Sequence, residues 1–191
     1  MATFSRNATV DWKGTLMEGT GYAKAGTGAF TLPVSFPRRV GEAEGTTSPE
    51  ELIAAAHAAC YAMVVAGALG RANASTKATH VKCTVLADKS ETGIKITTSK
   101  LEIEAEGLTG MDAATFERTA KEAEGKCPVS NALRGILTIE VATRIKLGAT
   151  RQKAKLRTEN SERNSKRKTT KGGRQGAHLP AFRPLVFRSN F

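Results

Sequence analysis

The chain has 191 residues and a formal net charge of +11 at pH 7. Residues 1–145 hold 16 basic and 16 acidic residues, whereas residues 146–191 hold 13 basic and 2 acidic ones, so 13 − 2 = +11 lies in the last 46 residues. The first segment therefore has the charge balance of an ordinary globular domain, which argues against a nucleic-acid-binding core. We predict one neutral domain over residues 1–145 and a basic, disordered extension over residues 146–191.

The three cysteines, Cys60, Cys83 and Cys127, form no CxxC pair, and the three histidines do not stand at zinc-site spacing from two of them. The sequence therefore predicts neither a disulfide framework nor a bound metal. The N-terminus shows no apolar signal run, so we expect a cytoplasmic protein. In a reducing compartment, a pair of cysteines is more often catalytic than structural.

The first third of the chain predicts short strands and then a long helix. Residues 7–14 and 20–34 alternate loosely and are rich in glycine, which indicates two or three strands. Residues 36–47 are expected to form a loop that contains two adjacent arginines. A helix is predicted from about Pro49 to about Ala72, since Ser48, Pro49 and Glu51 form the capping pattern of a helix start.

This predicted helix contains 19 consecutive uncharged residues, 52–70, which is near the length of a membrane span. Most of them are alanine and glycine, which transfer poorly into lipid, and the run includes His57. We therefore predict no membrane span and interpret the segment as the central helix of a soluble core.

The second half predicts a β-hairpin, two helices and a closing strand. Residues 79–90 and 93–107 alternate with a period of two across a turn at 91–93. Asp112 is the predicted N-cap of an amphipathic helix, and Cys127 precedes Pro128 at the start of a short helix. A last strand follows over 136–145. This order of elements predicts an α+β domain.

The three thiols differ in their expected chemistry. Cys127 at a helix N-cap faces free backbone N–H groups, which favour a thiolate, although a buried small residue before proline fits the position equally well. Cys60 lies in mid-helix, three residues after His57. The two could form a nucleophile and its base, but spacing alone favours a core histidine beside a core cysteine. Cys83 is expected to face the core from a strand.

A guanidinium is a further candidate activator of Cys60, and Arg38 and Arg39 lie shortly before the helix. Glu50 lies ten residues before Cys60, which corresponds to roughly 15 Å along a helix axis. Glu50 therefore serves the thiol only from a second subunit, or it is simply a first-turn acid that favours the helix dipole.

Two stretches resemble the OsmC/Ohr family of thiol peroxidases, and its OsmC branch in particular. They are "GTTSPEELIAAAHAACYAM" and "KCPVSNAL", whose cysteines stand 67 residues apart. The resemblance spans about residues 4–145. It implies an α+β fold with antiparallel sheets around a long central helix, assembled as an intertwined homodimer.

The resemblance also implies an enzyme that reduces organic hydroperoxides, and hydrogen peroxide less well, in oxidative or osmotic stress. Cys60 matches the peroxidatic thiol and Cys127 the resolving thiol, so a Cys60–Cys127 disulfide is expected. Glu50 matches the family acid, and Arg39 matches the family arginine better than Arg38. The loop "GTTSPEE" is one residue longer than usual in the family. No bound cofactor is implied, and the electrons are expected from an external dithiol similar to dihydrolipoamide.

Two other functions remain open from the sequence. The same two thiols could form a redox sensor that does not turn over. The basic tail could bind nucleic acid or other anions non-specifically, carry a localisation signal in "NSKRKTTK", or have no function.

Overall fold

The computed structural model describes residues 3–146 and the single position 162. Every element described below belongs to the first of the two units into which the chain divides, Met1–Lys146. Apart from Lys146 and Glu162, the extension over residues 146–191 lies outside the described residues, and its disorder stays a prediction.

The N-terminal sheet consists of three short antiparallel strands in the order β1-β2-β3, where the sequence predicts two or three strands. These are β1 (Ala8–Lys13), β2 (Thr20–Ala25) and β3 (Thr31–Val34). β1 is exposed along its whole length, including Trp12 at 40%. Within one chain, this sheet therefore has an apolar face that the rest of the described chain leaves uncovered.

The prediction of a loop over residues 36–47 is wrong for its first part, because a short helix, α1, spans Phe36–Val40. Ser35 caps this helix by accepting a hydrogen bond from the backbone N–H of Arg38 at 3.4 Å. Pro37 fixes a helix-compatible φ in the first turn, where a missing N–H costs nothing. Because α1 is helical, it sets the direction of the two arginine side chains.

The predicted central helix, α2, spans Pro49–Arg71 and ends within one residue of the expected position. The hydroxyl of Ser48 accepts a hydrogen bond from the N–H of Glu51 at 3.1 Å, which confirms the predicted cap. The buried residues of α2 recur every fourth position and form one stripe: His57, Tyr61, Val65 and Leu69.

The opposite side of α2 is apolar and exposed, with Met63 at 70% and small residues such as Ala55 and Ala59 around it. Among the described residues, α2 is the one helix long and apolar enough to cross a membrane by length and composition. The core helix of a soluble protein meets the same criterion, and the buried stripe of α2 faces a protein core.

The second sheet has the order β4-β5-β6, formed by β4 (Ala78–Ser90), β5 (Gly93–Glu106) and β6 (Thr138–Lys146). β4 and β5 form the predicted antiparallel hairpin, with Ser90 paired to Gly93 at its turn. β6, however, pairs with β5 in parallel, so the expectation of purely antiparallel sheets is wrong for this pair. A parallel neighbour requires a long crossover, and two helices occupy the chain between these strands.

The crossover contains α3 (Ala113–Glu124) and α4 (Pro128–Leu133). Asp112 caps α3 through a 2.7 Å hydrogen bond from the N–H of Thr115, as predicted. Cys127 occupies the N-cap position of α4, also as predicted.

The core lies between α2, β5 and α3. β5 contributes alternate residues, because only one face of a strand points inward. The buried apolar side chains are Tyr61, Val65 and Leu69 of α2, Leu101, Ile103 and Ala105 of β5, Phe116, Ala120 and Ala123 of α3, together with Ala74 and Cys127. The α+β class and the central helix are confirmed.

Removing residues 147–191 should leave this fold intact, because every described strand and helix ends by Lys146. Ending the chain at Lys146 keeps the ion pair between its Nζ and a carboxylate oxygen of Glu106, 3.2 Å apart. We expect the truncated and full chains to unfold in urea with free energies within about 0.5 kcal/mol of each other.

Truncation should also abolish any salt-sensitive retention on heparin, since the removed residues 147–191 hold 12 basic and 2 acidic residues, or 12 − 2 = +10. A truncated chain that fails to fold would show that the tail is structural.

Candidate active site

Two thiols meet inside the domain. The Sγ atoms of Cys60 and Cys127 lie 3.0 Å apart, and both cysteines are free. Cys60 comes from the middle of α2 and is half-buried, whereas Cys127 is fully buried at the start of α4. A disulfide bond is about 2.05 Å long, so the sulfurs need to approach by only about 1 Å to bond.

The surroundings of Cys127 favour its thiolate. Burial raises the pKa of Cys127, but the hydrogen bond with Cys60, the amides of Ser130 and Val129 and the hydroxyl of Ser130 more than offset it, so the pKa lies below its ordinary value. The side chain of Cys127 makes no cap hydrogen bond at the start of α4. The amides of Ser130 and Val129 therefore lower the pKa of the thiol as neighbouring N–H groups.

The surroundings of Cys60 favour its protonated form. Burial raises the pKa of Cys60, the hydrogen bond with Cys127 raises it further, and the amide of Val129 opposes both only in part. No cation among the described residues contributes to this pKa. Within one chain, Cys127 is therefore the more acidic thiol of the pair.

Arg39 and Glu50 form a bidentate ion pair at the N-terminal end of α2. Nη2 of Arg39 lies 2.6 Å from Oε1 of Glu50, and Nε lies 3.1 Å from Oε2. The hydrogen bond from Arg39 holds the pKa of Glu50 below its ordinary value of 4.5. The side chains are 27% and 14% exposed, so the pair is partly shielded from water.

Arg38 is engaged elsewhere. Its Nη2 lies 2.6 Å from a carboxylate oxygen of Glu44, and both side chains are largely exposed. Of the two candidate arginines, Arg39 is thus the one joined to the candidate acid Glu50. This geometry favours the choice that the resemblance implies.

The thiol pair and the Arg39–Glu50 pair do not meet within one chain. Glu50 lies in the first turn of α2, and Cys60 lies ten residues further along the same helix, roughly 15 Å away along its axis. One chain therefore presents two separate half-sites: a cysteine pair and a fixed guanidinium.

His57 does not act on Cys60 in this structure. Its ring is fully buried, with Nδ1 2.7 Å from the hydroxyl of Ser99 and Nε2 2.8 Å from that of Ser130. Both ring nitrogens are thus engaged by serines. This arrangement supports the interpretation as a core histidine over that of a base for Cys60.

Ser99 and Ser130 were not predicted from the sequence. Ser99 occupies the buried face of β5, in alternation with Leu101 and Ile103. A polar residue in such an apolar series is a signal, because a buried hydroxyl requires a partner. Ser130 stands three residues after Cys127, but no pattern in the sequence pairs it with a histidine 73 residues earlier.

Cys83 packs against the core from β4, as predicted, together with Val81. Its sulfur lies 3.2 Å from the hydroxyl of Ser99, and burial raises the pKa of its thiol.

An apolar groove lies beside Arg39. Its walls come from the first sheet and from the N-terminal ends of α1 and α2, with Trp12, Val34, Phe36 and Leu52 among the lining residues. The groove therefore places hydrocarbon side chains next to a fixed cation.

Within the described residues, no group of three or more histidine, cysteine, aspartate or glutamate side chains is placed to hold a metal ion.

Known proteins share both the sequence and the fold. The OsmC-like protein family matches residues 41–142. Peroxiredoxin OsmC of Escherichia coli (strain K12) is 34% identical over 139 residues, which cover 72% of this chain and 96% of that protein. Organic hydroperoxide resistance protein OhrA of Bacillus subtilis (strain 168) is 33% identical over 117 residues, or 58% of this chain and 79% of that protein.

A crystal structure described as an organic hydroperoxide resistance protein OsmC from Legionella pneumophila superposes with a TM-score of 0.59. It is 25% identical and covers 76% of this chain and 99% of its own. The fold and the site thus define an α+β protein with a closely spaced cysteine pair. The chain belongs to the OsmC family.

Replacing Glu50 tests its ion pair with Arg39. Because the pKa of Glu50 lies below 4.5 in the folded chain, the pair stabilises the fold above pH 4.5, and this contribution is lost as the pH falls through the lowered pKa. We expect Glu50→Gln to lower the free energy of unfolding by about 1 kcal/mol at pH 7, with the difference vanishing in acid. Urea unfolding at a series of pH values measures both effects.

The matched control is Glu44→Gln, which removes the exposed partner of Arg38 and should cause no measurable change. Equal losses in the two variants, or a loss for Glu50→Gln that is the same at every pH, would contradict the assigned role of the pair.

Proposed function

We propose that this chain reduces organic hydroperoxides through a sulfenic acid on Cys60 and a disulfide between Cys60 and Cys127. Its membership in the OsmC family makes it a cysteine-based peroxidase of the peroxide defence. The observation that carries the proposed mechanism is the pair of free thiols 3.0 Å apart. Such a pair can be oxidised and reduced without rearrangement of the fold.

In the first step, the thiolate of Cys60 attacks one oxygen of the hydroperoxide. The S–O bond forms, the O–O bond breaks, and the alkoxide leaves and takes up a proton to give an alcohol. In the second step, the thiolate of Cys127 attacks the sulfur of the sulfenic acid. The S–S bond forms, and hydroxide leaves and becomes water. An external dithiol then reduces the disulfide by exchange, and no bound cofactor is required.

The active site is proposed to form between two copies of the chain. Among the residues that the structure describes, no cation acts on Cys60, and the Arg39–Glu50 pair contacts no thiol. The exposed apolar side of α2 around Met63 and the uncovered first sheet around Trp12 are surfaces that a second copy would bury. In such a homodimer, Arg39 of one chain would stabilise the Cys60 thiolate of the other, and Glu50 would hold the arginine in place.

The substrate class follows from the apolar groove beside Arg39. A groove lined by Trp12, Phe36 and Leu52 favours the hydrocarbon part of an organic hydroperoxide over a fully hydrated molecule such as hydrogen peroxide. The guanidinium at its edge would stabilise the developing negative charge on the leaving oxygen.

A series of cysteine variants tests the assignment of the thiols. We expect Cys60→Ser to abolish peroxide consumption in the presence of a dithiol. Cys127→Ser should allow one stoichiometric reaction and leave a sulfenic acid that a dimedone probe traps. Cys83→Ser should retain wild-type turnover, because its hydroxyl can replace the thiol beside Ser99. An inactive Cys83→Ser and an active Cys60→Ser would overturn the assignment.

The same assay separates an enzyme from a sensor. Cumene hydroperoxide should be consumed over many cycles, and faster than hydrogen peroxide at equal concentration. A single cycle of oxidation that a dithiol does not reverse would support a redox sensor without turnover.

Complementation tests the shared site. We expect Arg39→Ala to raise the pKa of Cys60 and to slow turnover at neutral pH, with less loss at high pH, where the thiol ionises without help. Cys60→Ser and Arg39→Ala chains that are unfolded and refolded together should recover part of the activity. Each mixed dimer contains one site with both an intact Cys60 and an intact Arg39.

Two outcomes would rule out a site shared between chains. The first is a protein that is monomeric at micromolar concentration and still active. The second is a mixed dimer, verified by mass spectrometry, that shows no recovered turnover.

A further inference from the structure

A buried chain of hydrogen bonds lies beside the thiol pair, and the proposed reaction leaves it without a role. The hydroxyl of Ser130 lies 2.8 Å from Nε2 of His57, and Nδ1 of the same ring lies 2.7 Å from the hydroxyl of Ser99. The Ser99 hydroxyl continues to the sulfur of Cys83 at 3.2 Å. His57, Ser99 and Ser130 are each 0% exposed.

The other end of this chain lies next to Cys127, because Cys127 is the N-cap of α4 and Ser130 stands in the first turn of that helix. The Ser130 hydroxyl also lowers the pKa of the Cys127 thiol. The Cys127 sulfur in turn lies 3.0 Å from that of Cys60. Because these groups are buried, each of them needs a hydrogen-bond partner: an unpaired polar group destabilises the fold far more in the core than at the surface.

We propose that His57 is a positioning residue for Cys127 and acts through Ser130. It holds the Ser130 hydroxyl with its hydrogen directed at the Cys127 sulfur, and it thereby stabilises the thiolate that closes the disulfide. This inference rests on the proposed function, in which Cys127 attacks the oxidised sulfur of Cys60.

The number of available hydrogens supports this direction. Ser130 has one hydroxyl hydrogen, and a neutral imidazole has one donor and one acceptor nitrogen. If Nε2 carries the hydrogen, it donates to the Ser130 oxygen and leaves the Ser130 hydrogen free for Cys127. The Ser99 hydroxyl then donates to Nδ1, and the Cys83 thiol donates to Ser99. Every donor is used once, and the chain points towards Cys127.

The opposite tautomer serves Cys127 less well. With the hydrogen on Nδ1, Nε2 becomes an acceptor and takes the Ser130 hydrogen, so the Cys127 thiolate loses that donor. The thiolate itself selects the first arrangement, since a hydrogen bond to an ionised group is stronger than one to a neutral acceptor. Burial lowers the pKa of His57, which keeps the ring neutral and preserves its single acceptor.

The titratable and charged groups around this chain come from four elements. α2 contributes Cys60 and Tyr61, β4 contributes Cys83, and the N-cap of α4 is Cys127. The last residue of α3, Glu124, opposes the effect of burial on His57. Glu124 is itself paired with Arg134 at 2.7 Å, which limits its influence. Between neutral and mildly alkaline pH, the thiols are thus the groups of this set that change charge.

In the proposed step, the S–S bond forms as the S–O bond of the Cys60 sulfenic acid breaks, and hydroxide leaves to become water. Ser130 remains a donor throughout and neither gains nor loses a proton. The same hydrogen bond stabilises Cys127 as the leaving thiolate when an external dithiol later reduces the disulfide.

Single-turnover oxidation of the full chain by cumene hydroperoxide tests the proposal. Rapid quenching with mass spectrometry separates sulfenic acid formation from disulfide closure. We expect Ser130→Ala and His57→Phe to leave the first phase unchanged and to slow closure roughly tenfold at pH 7, the effect of losing one hydrogen bond to a charged group. At high pH, where Cys127 is ionised in every variant, closure should return to the wild-type rate.

Two further variants give the comparison. His57→Gln keeps a donor near the position of Nε2 and should restore closure in part. Cys83→Ala leaves the ring and both serines in place and should close at the wild-type rate. Slowing that is equal at every pH would indicate damaged packing and overturn the proposal, as would wild-type closure at pH 7 in Ser130→Ala.

Alkylation of Cys127 by iodoacetamide, in chains that also carry Cys60→Ser and Cys83→Ser, tests His57 and Ser130 independently of peroxide chemistry. The midpoint of the rate against pH should move to higher pH with Ser130→Ala and with His57→Phe, and an unchanged midpoint in either variant contradicts the proposal. Absence of any sulfenic acid in the wild-type chain would instead refute the proposed function, and the alkylation profile would still decide the role of His57.

Discussion

The contact between the sulfurs of Cys60 and Cys127 depends on the packing of one helix. Every fourth residue of α2 from His57 to Leu69 is buried against β5 and α3. This stripe fixes the rotation of α2 and thereby points Cys60 towards the start of α4. The long crossover between β5 and β6 brings Cys127 to the same place, so two thiols 67 residues apart in sequence lie 3.0 Å apart.

The same helix separates the other charged pair from the thiols. α2 is one continuous helix with Glu50 in its first turn and Cys60 in its middle, so one chain cannot bring both to one point. The apolar side of α2 that this chain leaves exposed and the distance between the half-sites are thus two consequences of one element. The proposed homodimer accounts for both. A second copy packed on the exposed side of α2 would cover that apolar surface and would bring its Arg39 to the Cys60 thiol.

Much of the fold could be predicted from local signals. Ser48, Asp112 and the position of Cys127 marked three helix starts, and alternation marked the hairpin. The parallel pairing of β6 could not be read in this way, because strand direction depends on where a crossover returns and not on the strand itself. The hydrogen bonds of His57 with Ser99 and Ser130 could not be predicted for a similar reason. The sequence of an apolar helix does not indicate which distant hydroxyls its histidine will contact.

The fold sets the relative acidity of the two thiols, and the proposed reaction depends on that acidity. In one chain, Cys127 has the lower pKa of the two thiols, because amides and a hydroxyl lower it, while burial and the hydrogen bond with Cys127 raise the pKa of Cys60. The first step of the proposed reaction requires the opposite order, with the thiolate on Cys60. A guanidinium brought to Cys60 by a partner chain would lower the pKa of the Cys60 thiol by its charge and so reverse the order of the two pKa values. The amides and the Ser130 hydroxyl around Cys127 suit the proposed second step, in which Cys127 becomes the nucleophile. Dimer assembly would thus favour the thiolate of Cys60, whereas the interior of each chain already favours that of Cys127.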